Sequence, residues 1–169
     1  MNRMRFRESV NKFADLRIHG PVSRPTTLSE QMKIVFLDIE GVLVVPVPGR
    51  KTPAVSRRSV EQLNRITDAT GAAIVLSSSL RFRPDICLTL EEWGVRARII
   101  GRTPLVGGLG ACRGAEIARW LAECPEPIEN FVILDDEPIM GPLRSHLIQT
   151  DWNTGLTDAL ACEAIVQLS

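Results

Sequence analysis

The sequence predicts an α/β domain, a three-layer α/β/α sandwich around a mostly parallel sheet. Three observations predict it. Short apolar runs at residues 34–37, 42–45, 72–76 and 131–134 have the length of buried strands and not of membrane spans. Amphipathic stretches of helical period lie between them. Several of the runs end abruptly in acidic, serine or glycine residues. Alternation of strand and helix is what a parallel sheet requires, because each crossover returns the chain to the same edge.

Taken in order, residues 1–31 show no sustained periodicity and are broken by Gly20, Pro21 and Pro25, so they read as a basic N-terminal extension preceding a domain over 32–169. Residues 33–37 form the first strand. Residues 44–55, with Pro46, Pro48, Gly49 and Pro53, form a loop or small flap. Ser56 caps a helix to about Ala69, with Val60, Leu63 and Ile66 facing inward and Gly71 stopping it. Residues 72–76 are the second strand, followed by a helix near 84–93 and a short strand around 98–100. A loop with Gly107, Gly108 and Gly110 leads into a helix over about 114–123, with Ile117, Trp120 and Leu121 on one side. Residues 131–134 and 147–149 are the last strands, and Thr157 caps a final helix to about Gln167.

The 169 residues suffice for one sizeable core, and 44% hydrophobic with 24% charged residues excludes disordered, collagenous and coiled-coil classes. Twenty basic and twenty acidic residues balance, but the basic excess sits in residues 1–33, leaving a mildly acidic body with no broad face for duplex binding. Cys87, Cys112, Cys124 and Cys162 form no C-x-x-C pair, and with only His19 and His146 beside them they make no zinc pattern. They read as reduced, mostly buried thiols of a cytoplasmic protein. The first residues lack the apolar core of a secretory signal.

In an open parallel sheet, ligands bind at the carboxyl ends of the strands. The first strand ends in Asp38-Ile39-Glu40, the second in Ser77-Ser78-Ser79, and the strand over 131–134 in Asp135-Asp136. Carboxylates gathered on one edge repel one another, and a hard divalent cation with oxygen ligands relieves that repulsion. Mg²⁺ held by carboxylates and substrate phosphate oxygens fits this inventory, with serine hydroxyls on the phosphate and a carboxylate as nucleophile.

These same segments resemble the haloacid dehalogenase (HAD) superfamily. KIVFLDIEGVL resembles its motif I, IVLSSSLR its motif II, and FVILDDE its motif IV, in order over residues 33–137. With GRTP, RGAEIARWL and LIQTDWNTGLT, the chain is similar to the capless HAD domain of bacterial multi-domain RNA-repair proteins. The resemblance implies a Rossmann-like sheet without a cap domain and a Mg²⁺-dependent phosphatase. It implies that Asp38 is the nucleophile and a metal ligand. Glu40 then supplies its backbone carbonyl to the metal and its carboxyl as general acid/base. Ser77, with Ser78 and Arg81 beside it, binds phosphate. Asp135 and Asp136 match the motif IV metal site, Asp136 being favoured as the direct ligand and Asp135 as its neighbour.

Motif III of the family supplies a Lys, yet none lies between Ser77 and Asp135; Arg113 is the best-placed substitute and Arg102 the second. Glu40 stands where the family usually has Asp, and one extra methylene moves the carboxyl by about 1.5 Å. This leaves an alternative: a catalytically weak or inactive domain that binds Mg²⁺ and phosphate, or a protein partner. The short gaps on either side of Ser77 leave no room for a cap, so the expected substrate is bulky, such as an RNA or other polymer end. Arg50, Lys51, Arg57 and Arg58 stand ready to steer a phosphate-rich strand.

Overall fold

The computed structural model describes residues 31–107 and 112–169. The expected extension over 1–31 therefore lies outside the described residues, apart from Gln31. Strand β1 (Met32–Leu37) is followed by two-residue strands β2 (Val44–Val45) and β3 (Ala54–Val55), which pair as a small antiparallel flap. Helix α1 (Arg57–Thr70), strand β4 (Ala73–Leu76), helix α2 (Ile86–Glu92) and strand β5 (Ile99–Arg102) come next. Helix α3 (Arg113–Glu123), strand β6 (Ile128–Asp135), strand β7 (Leu147–Gln149) and helix α4 (Asp158–Leu168) complete the domain. The main sheet is parallel throughout, in the order β5-β4-β1-β6-β7.

Period-two alternation along β1 explains the three layers. Val35 and Leu37 face a core with Leu63 and Ile66 of α1, Leu90 of α2, and Ala161, Ala164 and Leu168 of α4. Ile34 and Phe36 face the other side, against Ile117 of α3 and Met140. Trp120 meets Phe36 edge-on with ring centroids 5.4 Å apart. Because β1 is buried on both faces, it reads in sequence as one unbroken apolar run. Ser56 caps α1 by accepting the Ser59 amide, and Gly71 closes it in a left-handed conformation.

The chain winds from β1 outward through β4 to β5, then returns by α3 to β6 on the opposite side of β1. The switch point of the topology therefore lies between β1 and β6, where a crevice opens at the strand ends.

Several boundaries differ from the sequence reading. The strand expected around 98–100 runs to Arg102, an edge position where a polar end is tolerated. Strand β6 begins at Ile128, three residues early, because it pairs with β1 from Met32 onward; exposed Glu129 and Asn130, whose amide bonds the Gln167 carbonyl at the end of α4, hide that start from the apolar pattern. Ser79–Phe82 forms a 3₁₀ turn that periodicity alone did not reveal, and α2 is shorter than 84–93. The four cysteines are free, but each is half-buried, not mostly buried as expected, since they sit at helix and loop margins. No described helix is long and apolar enough to cross a membrane.

Candidate functional site

Asp38 is the first residue beyond β1. Its backbone N–H donates to the Leu134 carbonyl (2.9 Å), so the ends of the two central strands are locked in register across the switch point. Asp135 closes β6 and Asp136 follows it. One oxygen from each of Asp38, Asp135 and Asp136 lies within 4.8 Å of the other two. The three expected carboxylates thus converge. The Glu40 side chain is not among them: it is exposed, and its Oε2 accepts from the Ser79 hydroxyl at 3.4 Å, across the mouth of the crevice.

Arg113, the first residue of α3, reaches the place the sequence reading gave it. Its Nη2 is 3.4 Å from Asp38 Oδ1 and its Nε 3.1 Å from Asp135 Oδ2. One guanidinium spans the end of β1 and the end of β6, a geometry that suits its planar fork. The contact with Asp135 is a charge contact and not an aligned hydrogen bond: Oδ2 is buried without a hydrogen-bond partner among the described residues. Arg102, the second candidate, instead points toward Cys87 at the sheet edge.

The serines divide their tasks. Ser77 and Ser78 are both fully buried, and both backbone amides bond the Leu37 carbonyl at 2.9 and 3.3 Å. The Ser78 hydroxyl accepts the Leu80 amide at 3.2 Å. The Ser77 hydroxyl has no hydrogen-bond partner among the described residues.

Arg81 differs from the expectation of a phosphate ligand. It is 2% exposed, and its donors are taken by protein. Nε bonds Thr103 O (2.8 Å), Nη1 bonds Ser77 O and Ser78 O (3.1 and 2.9 Å), and Nη2 bonds Pro104 O (3.3 Å) and Glu116 Oε1 (2.8 Å). A guanidinium has five N–H groups, and five protein acceptors meet it here, so nothing is left for a substrate.

Two further residues shape the site without having been assigned a role from sequence. Gly41 sits at φ +75°, and a Cβ there would lie 2.5 Å from Asp136 Cγ, so the Asp136 carboxylate packs onto bare backbone. Thr150 is buried; its hydroxyl donates to Gly41 O at 2.8 Å and its amide to Asp135 O at 3.0 Å. The one available signal was its position directly after the last strand.

Electrostatics follow from this crowding. Burial pushes the Asp38 carboxyl above its ordinary range, while Arg113 and the Ser78 hydroxyl hold it down. Asp135 is pushed up to about 7, first by burial and then by the charge of Asp38. Asp136 is raised as well, chiefly by desolvation. Three crowded carboxylates, two of them buried and one with an oxygen lacking a hydrogen-bond partner among the described residues, form an all-oxygen donor set that suits a hard divalent cation. The residues therefore fit magnesium, with Asp38, Asp135 and Asp136 as the carboxylates that would hold it.

No curated protein matches the sequence. A family model described as the HAD domain in Swiss Army Knife RNA repair proteins matches residues 34–161. The matched span opens inside β1 and closes inside α4, taking in every strand end that builds the crevice. The carboxylates at the switch point are thus carried on the family's own framework, and the chain belongs to this HAD domain family.

Proposed function

We propose that this domain is a phosphatase that hydrolyses a phosphomonoester through an aspartyl-phosphate on Asp38. The observation that carries the reading is the convergence of Asp38, Asp135 and Asp136 at the switch point, with Arg113 joining Asp38 to Asp135. A nucleophilic carboxylate must be ionised and held still. Arg113 favours the ionised form of Asp38 against the desolvation that raises its pKa, and lies 3.4 Å from it. Asp38 attacks phosphorus, the ester P–O bond breaks, and Glu40 gives a proton to the departing oxygen. Water then cleaves the acyl phosphate, with Glu40 accepting its proton, which releases phosphate and restores both carboxyls. A magnesium ion, when bound, offsets the charge on the nucleophile and the phosphoryl oxygens. The buried, unpartnered Ser77 hydroxyl supports a role in binding phosphate, since an unsatisfied buried hydroxyl costs about 1–3 kcal/mol.

What surrounds the crevice supports a substrate class. The insertion after β1 is a flap of two two-residue strands, and no described segment forms a cap domain. Arg50, Lys51, Arg57 and Arg58 are exposed around that flap. Together with the family's place in RNA repair, this supports a phosphorylated RNA end or another bulky polymer terminus.

The test is Mg²⁺-dependent phosphate release from an aryl phosphate and from a 3′-phosphorylated oligoribonucleotide. Asp38→Asn is expected to lower turnover by at least about a thousandfold, since it removes the nucleophile. Release unaffected by Asp38→Asn would overturn the reading. Wild-type silence with activity gained in Glu40→Asp would make Glu40 a brake and favour the second reading, a phosphate-binding module. The exposed Glu40 carboxyl, outside the acidic cluster, is the observation on that side.

A further inference from the structure

From the buried pair of Arg81 and Glu116 we infer a positioning device that holds Arg113 and the Ser77–Ser78 turn against Asp38. This inference rests on the proposed phosphatase site and adds two residues to it that touch neither substrate nor metal ligands.

Arg81 and Glu116 are 2% and 5% exposed, with Arg81 Nη2 2.8 Å from Glu116 Oε1. Burying an ion pair of this kind is not an efficient source of stability, because desolvation offsets the attraction. What distinguishes it is the set of segments it joins. Nη1 bonds the carbonyls of Ser77 and Ser78, which leave β4. Nε and Nη2 bond the carbonyls of Thr103 and Pro104, which leave β5. Glu116 lies on the first turn of α3, three residues after Arg113, so anchoring Glu116 fixes the end of the helix from which Arg113 reaches Asp38 and Asp135. The Ser77 and Ser78 amides both bond the Leu37 carbonyl, so holding the carbonyls of these serines fixes the turn that lies beside Asp38. The cation that meets Asp38 and the serine turn beside it are therefore both set by one guanidinium. The ring of Phe82, 4.5 Å from the Arg81 guanidinium carbon, covers it from one face.

The test uses the full chain and Glu116→Gln, which keeps the size and a hydrogen-bond acceptor but removes the charge. Where that variant does not fold, Glu116→Asp serves, since it keeps the charge and withdraws it by one methylene. Two readouts are taken. In the ¹⁵N spectrum of the arginine side chains, the Arg113 Nε–H signal is expected to move or broaden. The signals of Arg65 and Arg96, which pair with Asp158 and Asp68 on the surface, are expected to stay in place. In a double-mutant cycle, Glu116→Gln is expected to lower kcat/KM about tenfold to a hundredfold in the wild-type background and to have almost no effect once Arg113 is Ala. A merely structural role lowers activity equally in both backgrounds.

An unmoved Arg113 signal, or equal losses in the two backgrounds, would overturn the inference. If the wild type releases no phosphate at all, the phosphatase reading fails, and the positioning device stands or falls on the Arg113 signal alone.

Discussion

Gly41 shows how one missing side chain organises the crevice. Its φ of +75° is open to glycine at little cost, and the absent Cβ leaves the space where Asp136 lies. Gly71, at φ +70° with nothing near its notional Cβ, has the same backbone conformation without the crowding. The two positions therefore separate conformational strain from displacement of a carboxylate. Gly71→Ala is expected to cost about 1 kcal/mol, the ordinary penalty for a left-handed non-glycine residue. Gly41→Ala is expected to cost about 1–3 kcal/mol more and to weaken Mg²⁺ binding, because Asp136 must move. Denaturant unfolding and a Mg²⁺ titration of both variants check this, and equal costs with equal metal affinity would show that Asp136 is not held by Gly41. At this scale the sequence was informative about identity and silent about orientation. Asp38, Asp135 and Asp136 were legible because each follows an apolar run. Arg81 was misread because adjacency to the serines said nothing of where its guanidinium turns.

Helices and strands carry these residues by their ends. Arg113 reaches the carboxylates because α3 starts at the return crossing to β6, and Ser56 starts α1 where the flap closes. The Ser56 hydroxyl accepts the Ser59 amide at 3.2 Å and is in turn bonded by the Ser59 hydroxyl at 3.0 Å. Ser56→Ala leaves a first-turn N–H without its partner and is expected to cost about 1 kcal/mol, read as a lower denaturant midpoint with unchanged slope. Activity is expected to persist, since α1 packs mainly on α4 and does not carry the carboxylates. Elements with strong local signals were legible: the caps of α1 and α4 and the apolar runs of β1 and β4. The beginning of β6 and the extent of β5 were not, because contacts from other elements and an edge position decided them. Asn130 reads as a loop residue until the end of α4 is placed beside it.

For the whole molecule, the buried carboxylates couple stability to pH and to metal. Asp135 has an ordinary value of 3.8 and sits at about 7 in the fold, so the folded state holds the proton more tightly than the unfolded state does. Its contribution is intact below the ordinary value and is lost as pH rises through about 7. Asp38 and Asp136 are raised as well and act in the same direction. The protein in a chelator is therefore expected to melt at a lower temperature at about pH 8 than at about pH 5, and excess Mg²⁺ to raise the midpoint more at the higher pH. Asp135→Asn is expected to flatten the slope. A chelated wild type that is no less stable at the higher pH would show that the cluster is not strained.

The strand runs, their polar ends, the alternation with helices and the three ordered motifs were all determined by the sequence, because parallel strands buried on both faces must be continuously apolar and must stop where chemistry begins. Tertiary structure alone decided which side chains meet. Glu116 and Arg81 are 35 positions apart and give no mutual signal in sequence, yet their contact joins three segments at the crevice. Thr150 and Gly41 are likewise remote until β7 lies beside β6. The physical reason is that local patterns record burial and backbone preference, whereas the destination of a long polar side chain depends on which distant carbonyls and carboxylates the fold leaves for it to satisfy.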